Sequence, residues 1–107
     1  VLNINNMRDH EPDAQSGKNT LVVRIGIIKA KAYHQSLIYG GLLLSLAFII
    51  PSTYYIHYLF MVTAPLFIGF VQSINRRSDF QNFDPFLKKQ AITTFVFSIL
   101  FVIGINL

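Results

Sequence analysis

The chain has 107 residues, 52% of them hydrophobic and 13% charged, with a formal net charge of +4. Soluble domains carry about 25% charged residues, so this composition points to a bilayer as solvent and against a water-exposed catalytic domain. Cysteine is absent, which excludes disulfides and thiolate metal sites.

The chain opens at Val1 without a charged region leading into an apolar core, so no signal peptide is predicted. It stops at Leu107 inside an apolar run, and both ends read as cut from a larger membrane protein. Residues 1–8 read as the end of a helix, and residues 9–31 as an aspartate-rich cytoplasmic loop with a short helix. No Lys, Arg, Asp or Glu occurs between Ala32 and Asn75, and Pro51 with Ser52 and Thr53 divides that run. Helices over 32–50 and 54–75 would each be about 20 residues, the length that crosses a hydrocarbon core. A third span is predicted over 91–107. Asp84 followed by Pro85 reads as an N-cap with proline at the first helical position. The fold class is therefore all-α: a polytopic transmembrane bundle with the end of one helix and three further spans. A water-soluble bundle would need helices apolar on nearly every face, and a chain this short has too little polar surface to cover them.

All nine Lys and Arg residues fall either before the first span or between the second and third, on one side of the membrane. By the positive-inside rule that side is cytoplasmic. Tyr54, Tyr55, His57 and Tyr58 at the other end suit an interfacial aromatic belt. Ala32, Ser36 and Gly40, Gly41 and Ser45, and Thr94 and Ser98 are small residues at fourfold spacing, which allows close helix approach but is also common in membrane helices generally.

Asn5, Asp9 and Asp13 are four residues apart, which lines them along one helical face, with Asn6 on the adjoining row. Pro12 disfavours helical geometry at Glu11, so the helix is predicted to break before Asp13, which would reach the row from a loop. Two adjacent carboxylates near a bilayer repel unless compensated. Magnesium bridging to phosphate supplies such compensation, being held by one or two carboxylates plus phosphate oxygens. Arg8 can fork onto phosphate, Lys18 follows a flexible glycine in "SGKNT", and Arg24 lies one or two turns further on. The competing reading is a solvated loop with Asp–Arg pairs. "GKNT" lacks the upstream glycine of a P-loop.

The complete string "NNMRDHEPDAQSGKNTLVVRIG" resembles the second aspartate-rich motif of the UbiA superfamily of intramembrane prenyltransferases. Within that family, "NNMRD…D…GKNTL…RIG" is most similar to the 1,4-dihydroxy-2-naphthoate polyprenyltransferases of menaquinone synthesis. The resemblance covers residues 3–26 well; the later helices and "FDPFLKKQA" are compatible with the family's C-terminal third. It implies a nine-helix fold of which this chain holds the end of the sixth helix and the last three. It also implies that Asp9 and Asp13 hold Mg2+ on a polyprenyl diphosphate with Asn5 ligating or orienting, and that Arg8, Lys18 and Arg24 neutralise phosphate oxygens. The acceptor would be dihydroxynaphthoate, and the location a bacterial inner membrane. Pro12 and Ala14 depart from the family pattern, which commonly has an acidic or small polar residue and a base there. The family's first aspartate-rich motif is not in this chain, so the piece alone is expected to be inactive.

Other polar residues carry lesser expectations. His34 reads first as an interfacial or hydrogen-bonded helix residue and second as a substrate contact. His57 belongs to the belt. Gln72, Asn75 and Arg76 face headgroups or, less favoured, the acceptor, while Asp79 lies in a connecting loop. Two rivals differ in class. A CDP-alcohol phosphotransferase would need an Asp-Gly pair ahead of Ala-Arg, an order not found here, and a transporter fragment or small membrane subunit would tolerate loss of Asp9 and Asp13.

Overall fold

The computed structural model describes residues 1–77 and 83–107; Asp79 lies outside them. Helices α1 (Leu2–Arg8), α2 (His10–Gln15) and α3 (Leu21–Ile25) precede a long α4 (Ile27–Ile49). A 3-10 helix over Tyr55–Thr63 runs directly into α5 (Ala64–Arg76), and α6 (Asp84–Asn106) completes the chain. No strand occurs among the described residues. The body is a rod of 52 × 22 × 22 Å. Three segments, Ile27–Ile49, Tyr55–Arg76 and Asp84–Asn106, are long and apolar enough to cross a membrane. The architecture is thus the all-α polytopic bundle that hydropathy predicts.

Several boundaries differ from the sequence reading, each for a local reason. The first span begins at Ile27 rather than at residue 32 and therefore includes Lys29 and Lys31. Long basic side chains can keep their charged ends at the interface while their stems lie along apolar surface; the Lys31 ammonium donates to the Arg77 carbonyl at 2.6 Å, tying α4 to the end of α5. Gly26, between α3 and α4, sits at φ 80°, ψ 165°, backbone that is essentially reserved for glycine. Glycine there lets the chain turn between two helices without a loop.

The second span opens as 3-10 helix, and Pro65 tightens the last turn of that segment where it meets α5. A proline in helix has no N–H for the carbonyl four residues back, and its ring crowds that carbonyl. The carbonyl in question belongs to Met61, and it instead accepts from the Ala64 N–H, three residues on. Thr63 Oγ1 repeats the short spacing by donating to the Phe60 carbonyl at 2.7 Å. Phe60 is fully buried and meets Phe97 and Phe101 edge-on at 5.5 and 5.3 Å. Gly104 of α6 lies so close to this segment that a Cβ there would stand 3.0 Å from the Ile56 carbonyl oxygen. Gly40 and Gly41, by contrast, face open space, so the small-residue rows on α4 make no close approach within the described residues.

At the opposite end of the rod from the acids, Ser52 Oγ and His57 Nδ1 share a hydrogen bond of 2.5 Å, and the Tyr54 ring lies 5.5 Å from that of His57. The turn is thereby closed by Ser52 together with two residues assigned to the aromatic belt. Asp84 is not an N-cap. Phe83 holds that position, Asp84 is the first helical residue, and Pro85 follows it where the backbone N–H has no helical partner.

The Phe60 contacts carry a prediction. Phe60→Ala should destabilise the protein by about 3–5 kcal/mol through lost burial and a cavity, whereas Tyr55→Ala, at a position 93% exposed, should change the thermal midpoint in detergent very little. Equal effects would show that the 3-10 segment does not pack on α6 as described.

Candidate functional site

The charged end of the rod is organised over a small apolar core. Ile4 and Met7, three residues apart on α1, are both fully buried against Val22, Ala30, Ile74 and Phe83. Those partners come from α3, α4, α5 and the residue preceding α6, so one face of α1 meets every element around it. Asn3 adds a buried hydrogen bond, its Nδ2 donating to the Ala30 carbonyl at 3.1 Å. With this face fixed, Asn5, Arg8 and Asp9 are left on the other.

The helix breaks before Asp13 as expected, but at Asp9 rather than beside Pro12, and Asp13 lies in a second helix rather than in a loop. The irregular residue is Asp9 (φ −96°, ψ 8°), and Pro12 lies in the first turn of α2, where a proline costs no hydrogen bond. The backbone ladder continues through the irregularity, with Asp9 N–H to Asn5 carbonyl at 3.1 Å and Asp13 N–H to Asp9 carbonyl at 2.9 Å. Asn5, Asp9 and Asp13 are therefore stacked at successive turns of one nearly continuous helical path.

Gly17 also has a different role from the one read in the sequence. It stops α2 at φ 75°, while Lys18 N–H reaches the Asp13 carbonyl at 2.8 Å and Gly17 N–H the Ala14 carbonyl at 3.2 Å. This is the Schellman arrangement that ends many helices. It turns Lys18 back over α2, leaving its ammonium 3.7 Å from Asp13 Oδ1. Thr20 then caps α3, its hydroxyl accepting from the Val23 N–H at 3.3 Å.

Arg8 is the hub of the site. Its Nε and one terminal nitrogen fork onto the two oxygens of Asp9 at 2.8 and 2.9 Å. That same terminal nitrogen donates to Asn5 Oδ1 at 2.7 Å, and the other donates to Asp84 Oδ1. The hydrogen bond from Arg8 holds the Asp9 carboxyl below its ordinary pKa, and the bonds that Arg8 donates to Asp9 and Asp84 raise that of the guanidinium. Reading Asp84 as a cap missed this contact, because its partner lies 76 residues away and a helix-start pattern accounts for the residue without it.

Asp13 differs from Asp9. Its side chain is only 13% exposed, and Oδ2 is buried without a hydrogen-bond partner among the described residues. Buried polar oxygens are normally satisfied, so this acceptor is left open to a partner from outside the described residues. Among the described residues no three carboxylate or imidazole groups converge. Asn5, Asp9 and Asp13 therefore form no closed protein cage for a metal ion, and the oxygens of Asn5 and Asp9 are taken by Arg8. Arg24 is exposed on α3 and makes no hydrogen bond or ion pair with the row among the described residues. Asn75 is engaged elsewhere, donating to Gln35 Oε1 at 3.0 Å, and Arg77 lies 4.4 Å over the Phe86 ring.

Two cavities lie along α4. One, of about 320 Å³, is bounded by α1, α3 and α4 and lined in part by Asn3, Asn6, Tyr33 and His34. The other, of about 220 Å³, is an apolar slot between α4, α5 and α6, lined by Leu42, Phe67 and Phe97 among others. Leu37 and Ile38 line both. His34 is 2% exposed, and its Nε2 has no hydrogen-bond partner among the described residues.

Over its whole length the chain is 38% identical to the 1,4-dihydroxy-2-naphthoate octaprenyltransferase of Escherichia coli K12, of which it spans 35%. It is also 38% identical, over 98% of its length, to the protein of the same name from Haemophilus influenzae Rd, of which it spans 34%. The chain is similar throughout to part of a UbiA-type prenyltransferase. It covers about a third of the curated relatives it matches. No family profile and no solved structure matches it.

The Arg8–Asp9 fork gives a pH signature. Because the folded-state pKa of Asp9 is depressed, the stabilisation from its ionisation is complete above the ordinary carboxylate range and is lost as pH falls through the depressed value. A carboxyl carbon-13 titration in detergent should place the Asp9 midpoint below that of an ordinary aspartate, and Arg8→Gln should move it back upward. A midpoint unaffected by the substitution would mean that the fork does not form.

Proposed function

We propose that the full-length protein transfers a polyprenyl group from polyprenyl diphosphate to 1,4-dihydroxy-2-naphthoate in menaquinone synthesis, at a bacterial inner membrane with the charged loops cytoplasmic. The observation that carries this reading is the stacking of Asn5, Asp9 and Asp13 at successive helical turns, with basic side chains within reach and a buried oxygen of Asp13 lacking a partner. Similarity to the two named octaprenyltransferases along the whole chain supports it.

In this reading Asp9 and Asp13 would hold magnesium at the donor's diphosphate, and Asn5 would ligate it or orient the neighbouring carboxylate. Bound there, magnesium would draw charge from the diphosphate as it leaves. Arg8 exchanges its fork on Asp9 for phosphate oxygens, with Asp84 remaining as a carboxylate partner throughout, so the guanidinium is not left unpaired near the membrane. Lys18, held beside Asp13 by the turn at Gly17, supplies a second positive charge, and Arg24 a third at longer range. These groups lower the barrier by meeting negative charge where it develops in the transition state. The allylic C–O bond breaks with its electron pair going to diphosphate, the electron-rich ring forms the new C–C bond, and the ring carboxylate departs as carbon dioxide. The slot between α4, α5 and α6 would take part of the isoprenoid tail in surroundings from which water is excluded.

The test uses the full-length protein in proteoliposomes with a polyprenyl diphosphate and dihydroxynaphthoate. Asp9→Asn and Asp13→Asn should each reduce transfer by at least about a hundredfold while the protein still inserts. Chelation of magnesium should silence the wild type, and added magnesium should restore it. Near-normal turnover in either variant would overturn the assignment.

A further inference from the structure

We propose that Asp84 is a positioning residue for the donor's diphosphate and acts through Arg8, holding one corner of the guanidinium so that another edge can pass from Asp9 to phosphate. This rests on the prenyl-transfer reading above. The hydrogen bonds of Arg8 divide by nitrogen. Nε and Nη2 make all three bonds to the row, two to Asp9 and one to Asn5 Oδ1. Nη1 makes none of these and donates to Asp84 Oδ1. A guanidinium is planar and rigid, so a carboxylate on Nη1 restrains where the Nε–Nη2 edge lies without occupying it.

No local task of Asp84 explains the contact. Its side chain caps nothing, since no side-chain hydrogen bond closes the start of α6. Lys88, four residues on, is the partner that helical spacing favours for an acid. Among the described residues the carboxylate pairs instead with Arg8, 76 residues away. The placement is built into the core. Phe83, the residue before Asp84, is fully buried with Ile4 and Met7 of α1, and Phe86 and Leu87 pack against the same cluster. Arg8 and Asp84 thus stand on two helices locked to one apolar cluster, which sets the separation between them.

Exposure identifies the kind of effect. The Asp84 side chain is 74% exposed and that of Arg8 25%, and a pair so open to solvent adds little stability. What it restrains is a long side chain whose ordering costs free energy each time it binds. The edge that grips both oxygens of Asp9 has the geometry that also matches two phosphate oxygens. With Asp84 on Nη1, Arg8 can exchange one for the other and stay in the site. Asp84 itself touches no reacting atom. A carboxylate near an anion site would by its charge alone weaken anion binding, so positioning and plain repulsion predict opposite signs when that charge is removed.

The experiment measures binding and turnover separately in the full-length protein. The binding probe is inorganic pyrophosphate with magnesium chloride present, followed by calorimetry in detergent; turnover is followed with a polyprenyl diphosphate and dihydroxynaphthoate. Asp84→Asn should weaken pyrophosphate binding and raise the donor KM by about tenfold, with the acceptor KM within about twofold of wild type. Asp84→Glu, which keeps the carboxylate, should recover most of the loss. Plain repulsion predicts tighter pyrophosphate binding in Asp84→Asn, and a role confined to the start of α6 predicts a lower thermal midpoint with both KM values moving together. Either result overturns the proposal, as does unchanged pyrophosphate affinity or no binding to wild type. In Arg8→Gln, where Lys18 remains to meet the anion, adding Asp84→Asn should cost nothing more; a further tenfold loss there, on the order of that in wild type, also overturns it. Pyrophosphate binding that needs Asp84 only while Arg8 is present, in a protein that transfers no prenyl group, would uphold this role and refute the reading of function, so the two fail separately.

Discussion

Charge beside a bilayer has to be compensated by a neighbour, and Arg8 does most of that work here. Its guanidinium joins an amide and two carboxylates from opposite ends of the chain. The fork is possible only because the face of α1 carrying Ile4 and Met7 is fixed against four other elements, which aims Arg8 outward at a constant angle. Apolar burial and ion pairing are thus two sides of one short helix. A surface pair of this kind contributes little stability by itself; its larger effect is on geometry, holding the acids in a row against their mutual repulsion.

The membrane spans were legible in the sequence because hydropathy and charge exclusion act over some twenty residues at a time. So was the face shared by Asn5, Asp9 and Asp13, since fourfold spacing in a helix leaves little freedom. Single-residue rules proved less informative where position within the helix decides. Pro12 breaks nothing, because it stands in a first turn whose N–H groups have no helical acceptors. Gly17 provides a helix stop rather than a flexible joint. Pro65 does tighten its helix, and the signal was present in the sequence, but it acts through the carbonyl four residues earlier rather than at its own position.

Long-range partners were the least legible part. Nothing local to Asp84 distinguishes a cap from an ion-pair partner, and its contact with Arg8 depends on how α1 and α6 meet. The same holds for His34, whose burial comes from packing around α4 rather than from its place in the sequence. Both residues stand where elements from separate parts of the chain converge, and it is there that an account of specificity has to look beyond spacing.

The 3-10 stretch also bears on length. A 3-10 helix rises about 2.0 Å per residue against 1.5 Å in an α-helix, so the nine residues from Tyr55 to Thr63 reach about 4–5 Å further than their number would suggest. The second span, nominally one residue shorter than its neighbours, is in fact the longest rod of the three. In a bilayer of fixed thickness it must either lean more steeply than α4 and α6 or carry its aromatic end deeper into the headgroups. The helical pitch of nine residues thereby bears on how this segment matches the thickness of its membrane.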